Sequence, residues 1–477
     1  MSSSDAIPYG FEPWRKTFTA YRDNRHLISF GPTRSGKGAT VIVQTLLMAG
    51  HSIICIDPKG QNAAITARRR RELGQDVHFL NPFNELGLGG SRFNPLAHLR
   101  IDQPNIVADV RSLADALIIP NSKDPHWTDS ATDLIHALLL HLVATKGGEA
   151  TLPEMRRLLT LPAKLPEGES FALVVAEMLL SDWPFVRQAA SRFMNFESRE
   201  IQSILSTAIT QTFFLDDPNI ATSLSGNDFS MMQLKETPTT VFLILPGRYI
   251  EAYARFLRLV VTSAIDQLTT NPGGHKTLFI LDEFATLQNL PAVAKAFGFA
   301  AGYNVQMWPF LQDLPQLKFI YGDKWESFLA NAGLVQFFTP ADLTTADYIH
   351  RRCGEKTERR ESFSLSEISK RQAELGWTGI GRQYADMKVP LLALELILGM
   401  SPESQIVFFG GVQGARVELR FPYWRIKRLA GMFDPDPFHT GATDEPVDYV
   451  EDVGERQMNP KPKASWFARL LSRLFGR

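Results

Sequence analysis

His26-Leu27-Ile28-Ser29-Phe30-Gly31-Pro32-Thr33-Arg34-Ser35-Gly36-Lys37-Gly38-Ala39 reads as a short apolar strand, a glycine-bearing turn and the start of a helix running to about Ala49. A turn in that setting aims backbone N–H groups at one point, and the helix behind it adds the partial positive charge of its N-terminus. Lys37 supplies a mobile point charge for β- and γ-phosphates. Gly31, Pro32, Thr33, Arg34, Ser35, Gly36, Lys37, Gly38 and Ala39 are therefore the expected nucleotide-binding stretch. The pattern departs from the usual one at Gly38, where a Ser or Thr would hold Mg2+. The ion must then be held through water or by a nearby hydroxyl such as Ser35 or Thr40.

Strand and helix alternate outward from this stretch. Residues 52–57 (SIICID) form a buried-type strand stopped by Pro58, 62–74 a helix, and 77–80 a strand closed by Asn81-Pro82. That spacing implies right-handed crossovers and a mostly parallel sheet, hence an α/β fold. Between 103 and 235 no convincing strand appears and helical periodicity is frequent, as in Leu134, Ala137, Leu138, His141 and Leu142. This span reads as an inserted all-α domain. The sheet resumes with strands at 241–245, 277–281, 304–307, 335–338 and 406–409, and a helix at 252–268. The α/β unit thus comprises 27–102 and 236–430, with 1–26 as a short lead-in. Residues 355–385 are polar and charge-rich and read as a mobile loop. Residues 431–463 read as an acidic, Pro-containing linker. In 464–477, Trp466, Phe467, Leu470, Leu471, Leu474 and Phe475 fall on one side of a helix, with Arg469 and Arg473 on the other. Such a helix suits contact with an anionic membrane interface.

Thr277-Leu-Phe-Ile-Leu-Asp282-Glu283 is an apolar strand ending in two acids at the carboxyl edge of the sheet, where open α/β folds bind ligands. Asp282 suits Mg2+ binding through the ion's hydration shell, with Ser35 as the second metal candidate, and Glu283 suits orienting and deprotonating an attacking water. Gln312 follows the next strand, where it can sense a γ-phosphate. Together these describe an ATP and Mg2+ site.

Composition sets limits. The 477 residues carry a formal charge of −1, so any nucleic-acid binding must use local basic surface. The two cysteines, Cys55 and Cys353, support neither a disulfide framework nor a zinc site and fit a reducing cytosol. No leader peptide is legible, and no apolar run approaches the roughly 20 residues that span a bilayer. The run Arg68–Arg71 reads as a solvated helix face.

With these residues in view, the chain resembles the TraG/TraD-type coupling proteins of type IV secretion and conjugation. The resemblance rests on 31–38, Asp57-Pro58-Lys59-Gly60, Phe93-Asn94-Pro95-Leu96, Asp282-Glu283-Phe284-Ala285-Thr286-Leu287, and Gln312 followed by Leu317 and Tyr321-Gly322. It covers about 27–423. It implies a RecA-like P-loop motor domain with an inserted all-α domain, working as a homo-hexamer with ATP at subunit interfaces. It further implies delivery of relaxase-bound single-stranded DNA, or effector protein, to the channel subunits of a secretion machine. The implied location is the bacterial cytoplasm, peripheral to the inner membrane. Typical members carry N-terminal membrane helices, whereas this chain begins its motor almost at once. The expectation is a soluble member or one that docks on a separate membrane subunit. An interfacial site needs an arginine from the neighbouring subunit, with Arg351 and Arg352 as first candidates and Arg248 and Arg255 next. Two alternatives stand beside this reading: an FtsK- or HerA-like DNA translocase unrelated to secretion, and a nucleotide-gated receptor that does not hydrolyse.

Overall fold

A computed structural model of the chain describes residues 6–12, 17–120, 124–164, 168–195, 198–365, 374, 380–412 and 414–439. Thirteen strands follow in chain order: β1 (Ile7–Glu12), β2 (Thr17–Tyr21), β3 (His26–Phe30), β4 (Ser52–Ile56), β5 (Asp76–Leu80), β6 (Thr239–Leu243), β7 (Thr277–Leu281), β8 (Val305–Leu311), β9 (Ala332–Phe338), β10 (Glu355–Leu365), β11 (Ile380–Pro390), β12 (Ser404–Phe409) and β13 (Arg416–Leu419). Eleven of them form one sheet in the order β2-β1-β13-β12-β9-β3-β8-β7-β4-β6-β5. From β9 to β5 all neighbours run parallel. The other four strands extend the sheet antiparallel beyond β9.

The central strands β3, β4, β6, β7, β8 and β9 are buried at every position. Helices cover both faces of such a sheet, so its strands need no polar alternation and read as continuous apolar runs. The strands expected from sequence match these to within a few residues. Between β5 and β6 the described residues of 103–235 form helices and no strand, the longest being Pro125–Lys146. The helix Ile106–Leu117 packs on Ala254–Leu268, and buried side chains form one continuous core across that contact.

Four expectations are corrected. The lead-in 1–26 contains the β1–β2 hairpin, which joins the sheet edge through Phe11 opposite Leu419. The charge-rich 355–385 is not a plain loop, because β10 and β11 pair from Glu355–Pro390 to Leu365–Ile380. The start of the acidic linker is folded: Asp434 donates its N–H to the Ile65 carbonyl (2.9 Å) and accepts from Arg68 Nε (2.7 Å). The run Arg68–Arg71 is a solvated face only in part: Arg71 is exposed and Arg68 and Arg69 are half-buried, whereas Arg70 turns inward. Arg70 is fully buried and donates to Leu46 O (3.0 Å), His51 O (2.7 Å), Thr240 Oγ1 (2.9 Å) and Gln75 Oε1 (2.6 Å). The helix expected at 464–477 lies outside the described residues, among which no helix is long and apolar enough to cross a membrane.

Arg258 joins the helical span to the sheet. It is fully buried on the helix Ala254–Leu268. Its guanidinium donates to Ala116 O (3.2 Å) and Ile118 O (3.5 Å) at the end of Ile106–Leu117. It also donates to Leu287 O (2.6 Å) and Asn289 O (3.0 Å) in the turn after β7. Leaving a buried carbonyl without a donor costs about 1–3 kcal/mol. Arg258→Met is therefore expected to lower the unfolding free energy by at least about 2 kcal/mol, read from urea denaturation. A midpoint equal to that of the parent chain would remove this bracing role.

Candidate functional site

Backbone geometry shapes the loop after β3. The Gly31 N–H donates to Leu311 O (2.9 Å), fixing the loop's first residue to the end of β8. A Cβ at Gly31 would lie 2.7 Å from Ser35 Oγ and 2.9 Å from Phe338, so this position accepts only glycine. Arg34 (φ 63°) and Gly36 (φ 85°) take left-handed conformations that turn the chain into the helical segment starting at Gly38. Lys37 Nζ donates to Gly31 O across the loop (2.9 Å). The helix begins with a π turn over Gly38–Ile42 and continues as Val43–Met48.

Register supplies the acids. Ile56 of β4 lies opposite Leu281 of β7, so the next residues, Asp57 and Asp282, leave adjacent parallel strands at the same level. Asp57 is buried and accepts the Ala63 N–H (2.8 Å) through Oδ2, capping the helix Gln61–Glu72. Asp282 Oδ1 accepts the Glu283 N–H (3.1 Å), and Glu283 is held at φ 53°, a conformation that is costly for a residue with a Cβ. Burial pushes the Asp57 carboxyl up to about 7, and the Asp282 charge adds to the rise. Burial, then Glu283, raises Asp282 to about 6, against the pull of Lys37 and Lys59. A buried Asp57 and a half-buried Asp282, both with raised affinity for a proton, also favour another cation.

These groups face one cavity of about 760 Å³. Of the expected residues, Thr33, Arg34, Ser35, Gly36, Lys37, Gly38, Ala39, Asp282 and Glu283 line it. Gly31 and Pro32 lie at the root of the loop, outside the lining. Gln312 is exposed and also outside, with its N–H donating to Gln316 Oε1 (2.9 Å). Arg351 stands apart on the helix Leu343–Cys353, its side chain 77% exposed beside Asp347 (2.9 Å). Arg352 lies over the Phe408 ring (4.4 Å) and donates to Tyr348 Oη (3.0 Å), while Arg255 donates to Gln211 Oε1 (3.0 Å from Nε). Arg248 is exposed, 3.6 Å from Glu85.

Neither candidate hydroxyl faces the cavity in this conformation. Thr40 Oγ1 donates to Gly36 O (2.9 Å), and Ser35 Oγ is turned inward against Gly31 with no partner. Only rotation about χ1 would bring the Ser35 hydroxyl to a ligand. Among the described residues no group of three or more His, Cys, Asp or Glu side chains could cage a metal. Mg2+ is commonly held by one or two carboxylates together with substrate phosphates and water. The loop and the Asp57–Asp282 pair fit an Mg2+–nucleotide in that sense.

Sequence reasoning gave no role to several residues here. Arg420, directly after β13, is buried beneath the loop and donates to Ser35 O, Thr40 Oγ1 (3.4 Å), Pro402 O (2.6 Å) and Ser404 O (3.4 Å), with its guanidinium over Phe338 (4.6 Å). Burial lowers it to about 10, so it stays charged at neutral pH and adds a fixed positive charge below the loop. Asp57, Lys59, Gln61, Trp424, Asp436 and His439 also line the cavity. Only Asp57 and Lys59 carried a signal, in the Asp-Pro-Lys-Gly stretch.

The profile of the family described as Type IV secretory system Conjugative DNA transfer matches residues 7–444. The conjugal transfer protein TraG of Escherichia coli is 29% identical over 397 residues, covering 79% of this chain and 61% of TraG. Protein VirD4 of Rhizobium radiobacter is 26% identical over 455 residues, covering 92% of this chain and 63% of VirD4. The chain thus spans about three-fifths of the length of these relatives. Plasmid coupling protein TrwB, solved in complex with ADP and Mg2+, superposes with a TM-score of 0.61 at 16% identity, covering 84% of this chain and 85% of that one. The fold is the RecA-like P-loop fold.

A carboxyl whose pKa is raised by folding favours the folded state while it holds its proton. That contribution is complete below the ordinary value of 3.8 and is lost as the pH rises through about 6 for Asp282 and about 7 for Asp57. In Asp282→Asn one of the two contributions is absent. The melting temperature of the ligand-free variant is therefore expected to fall less than the parent's between about pH 5 and about pH 8. Thermal scans at fixed ionic strength measure this, and identical pH slopes would sink the assignment.

Proposed function

The chain belongs to the type IV secretory system conjugative DNA transfer family, and on that footing we propose that it is an ATP-hydrolysing coupling protein. Its cargo is relaxase-bound single-stranded DNA or effector protein, delivered to the channel subunits of the secretion machine. The observation that carries the reading is the single cavity at the carboxyl edge of the parallel sheet, which gathers the phosphate-type loop, Lys37, Asp282 and Glu283. The ADP and Mg2+ complex of TrwB lends support through the shared fold. Family membership supports this reading over a DNA pump unrelated to secretion.

In this reading the N–H groups of 33–38 and Lys37 receive the phosphates. Asp282, with Ser35 after rotation, would hold Mg2+. When bound, the ion neutralises charge shared by the β- and γ-phosphates. Glu283 takes the proton of the attacking water. Gln312, one residue beyond the Leu311–Gly31 hydrogen bond, senses the γ-phosphate through the loop's root. An arginine serving a neighbour's site must be exposed and stand outside its own cavity. Arg351 and Arg248 meet that condition, whereas Arg255 and Arg352 are occupied within the chain. We assign the trans role to Arg351 in a homo-hexamer at the cytoplasmic face of the inner membrane.

One observation favours a non-hydrolysing receptor as the second reading: Gly38 offers no hydroxyl and that of Ser35 is turned away. Turnover decides between them. The purified chain is expected to hydrolyse ATP faster with single-stranded DNA and as it oligomerises. Glu283→Gln should keep ATP affinity while turnover falls about 100-fold or more. Equal turnover in that variant would remove Glu283 as the base, and ATP binding by the parent chain without turnover would favour the receptor.

The trans arginine has its own measurement. Arg351→Ala alone should lose turnover, and mixing it with Glu283→Gln chains should restore part of it. In mixed rings some sites then combine an intact Glu283 with a neighbour's intact Arg351. No recovery in rings shown to be mixed would assign Arg351 elsewhere.

A further inference from the structure

The cavity extends beyond what the phosphate-type loop and the acids require. A side chain at Gly38 would meet no atom within 4 Å, so the space opens where the loop passes into the helix. The cavity wall also includes Trp424, Asp436 and His439, from the last described stretch of the chain. This stretch is firmly seated. Gln44 Nε2 donates to Phe421 O (2.5 Å), and Tyr423, Ile426 and Leu429 are buried with Val43, Leu47 and Ile65. Arg68 then holds Asp434 from the helix Gln61–Glu72, and Gln61 Nε2 donates to Asp436 Oδ2 (2.7 Å). The strap therefore runs from the helix behind the loop across to the start of the next helix, passing the mouth of the site.

The side chains it brings are of a different kind from those at the loop. Trp424 offers an indole fixed edge-on to Tyr423 (centroids 5.0 Å apart), and its Nε1–H is shielded from solvent with no acceptor. Asp436 is only 8% exposed in its side chain, and its two oxygens accept from Gln61 and from the Phe438 N–H (2.9 Å). Each oxygen keeps further acceptor capacity. His439 Nδ1 lies 3.4 Å from Asp436 Oδ2. A carboxylate repels phosphate and accepts hydroxyl protons, while an aromatic face takes a heterocycle.

We propose that Trp424 and Asp436 form the base and ribose end of the nucleotide site, Trp424 stacking on the base and Asp436 accepting the ribose hydroxyls, with His439 closing the rim. This rests on the nucleotide reading above and adds to it an orientation and a ligand class. Lys37 on the loop and the Asp436 carboxylate on the strap line one cavity, so a nucleotide enters with its phosphates toward the lysine and its ribose toward the carboxylate. Two ribose hydroxyls satisfy Asp436 better than one, so the site takes a ribonucleoside triphosphate in preference to its 2′-deoxy form.

Isothermal titration of the full chain with ATP, 2′-deoxy-ATP and inorganic tripolyphosphate, each with Mg2+, tests this. ATP is expected to bind tightest and tripolyphosphate weakest. Base–aromatic stacking is worth about 1–3 kcal/mol, so Trp424→Leu should weaken ATP and 2′-deoxy-ATP by roughly 5- to 100-fold. Tripolyphosphate binding should be unchanged in that variant, which also reports that the loop is intact. Asp436→Asn should narrow the ratio between ATP and 2′-deoxy-ATP and serves as a second variant away from the Trp424 packing. Parallel loss of tripolyphosphate binding, or unaltered ATP affinity in both variants, overturns the subsite. If the parent chain binds tripolyphosphate as tightly as ATP, the subsite fails while the phosphate loop stands. If it binds none of the three, the nucleotide reading itself falls.

Discussion

Parallel register is the constraint on which the rest of this molecule depends. In a parallel ladder with Ile56 level with Leu281, the residues that follow must emerge together, and here both are aspartates. The Gly31 N–H bonded to Leu311 O brings the loop after β3 to the same edge. A one-residue slip of β4 against β7 would turn the buried faces of a strand toward the wrong helices and separate the two acids. The apolar content of β4 and β7 thus does two things at once. It drives burial, and it fixes the spacing of the charged groups at the strand ends. The cost is visible in the raised pKa values of Asp57 and Asp282, since desolvation disfavours their charged forms.

Buried arginines brace both ends of the parallel strands without carboxylate partners, Arg70 where the strands start and Arg258 and Arg420 at the edge that carries the acids. Arg70, Arg258 and Arg420 each send most of their donors to main-chain carbonyls. A planar guanidinium can reach several carbonyls from different segments in a fixed fork, which a lysine cannot do. Arg70 ties the first two helices to β6, Arg258 ties the helical span to the turn beyond Glu283, and Arg420 ties β13 to the loop. The last two act where non-glycine residues take left-handed conformations, Arg34 in the loop and Glu283 beside the acids. Such backbone persists only when its surroundings over-determine it. Arg258 and Arg420 are part of those surroundings.

The core of the sheet was legible because strands buried on both faces leave unbroken apolar runs between Gly, Pro and acidic stops. The loop and the Asp282-Glu283 pair were legible because their chemistry is local in sequence. What was missed is what depends on distant partners. The β1–β2 hairpin contains Pro8 and Gly10 and lies at a sheet edge, where strand composition is weak. The β10–β11 ribbon is charged, and none of its described side chains is buried to impose a period, so its pairing rests on backbone bonds that composition does not reveal. Arg70 sits in a run of four arginines that hides the one turned inward. Arg420, Trp424 and Asp436 lie nearly 400 residues after the loop they adjoin, and no spacing rule connects them to it.

The β10–β11 ribbon bears on how such a chain would assemble. Among the described residues its eleven paired positions have no third strand, and a two-stranded ribbon of that length is marginal in water unless something packs against it. Its base is fixed: Leu391 N–H donates to Gly354 O (2.9 Å), and His350 Nδ1 lies 2.8 Å from Leu392 O. Arg351 is three residues before Gly354, on the same side of the molecule as that base, and its side chain is largely exposed. If Arg351 serves a neighbouring subunit, the ribbon that rises next to it runs along the same interface. The neighbour would then supply packing beyond what the described residues of its own chain give the ribbon, and the ribbon would in turn fix where the arginine stands.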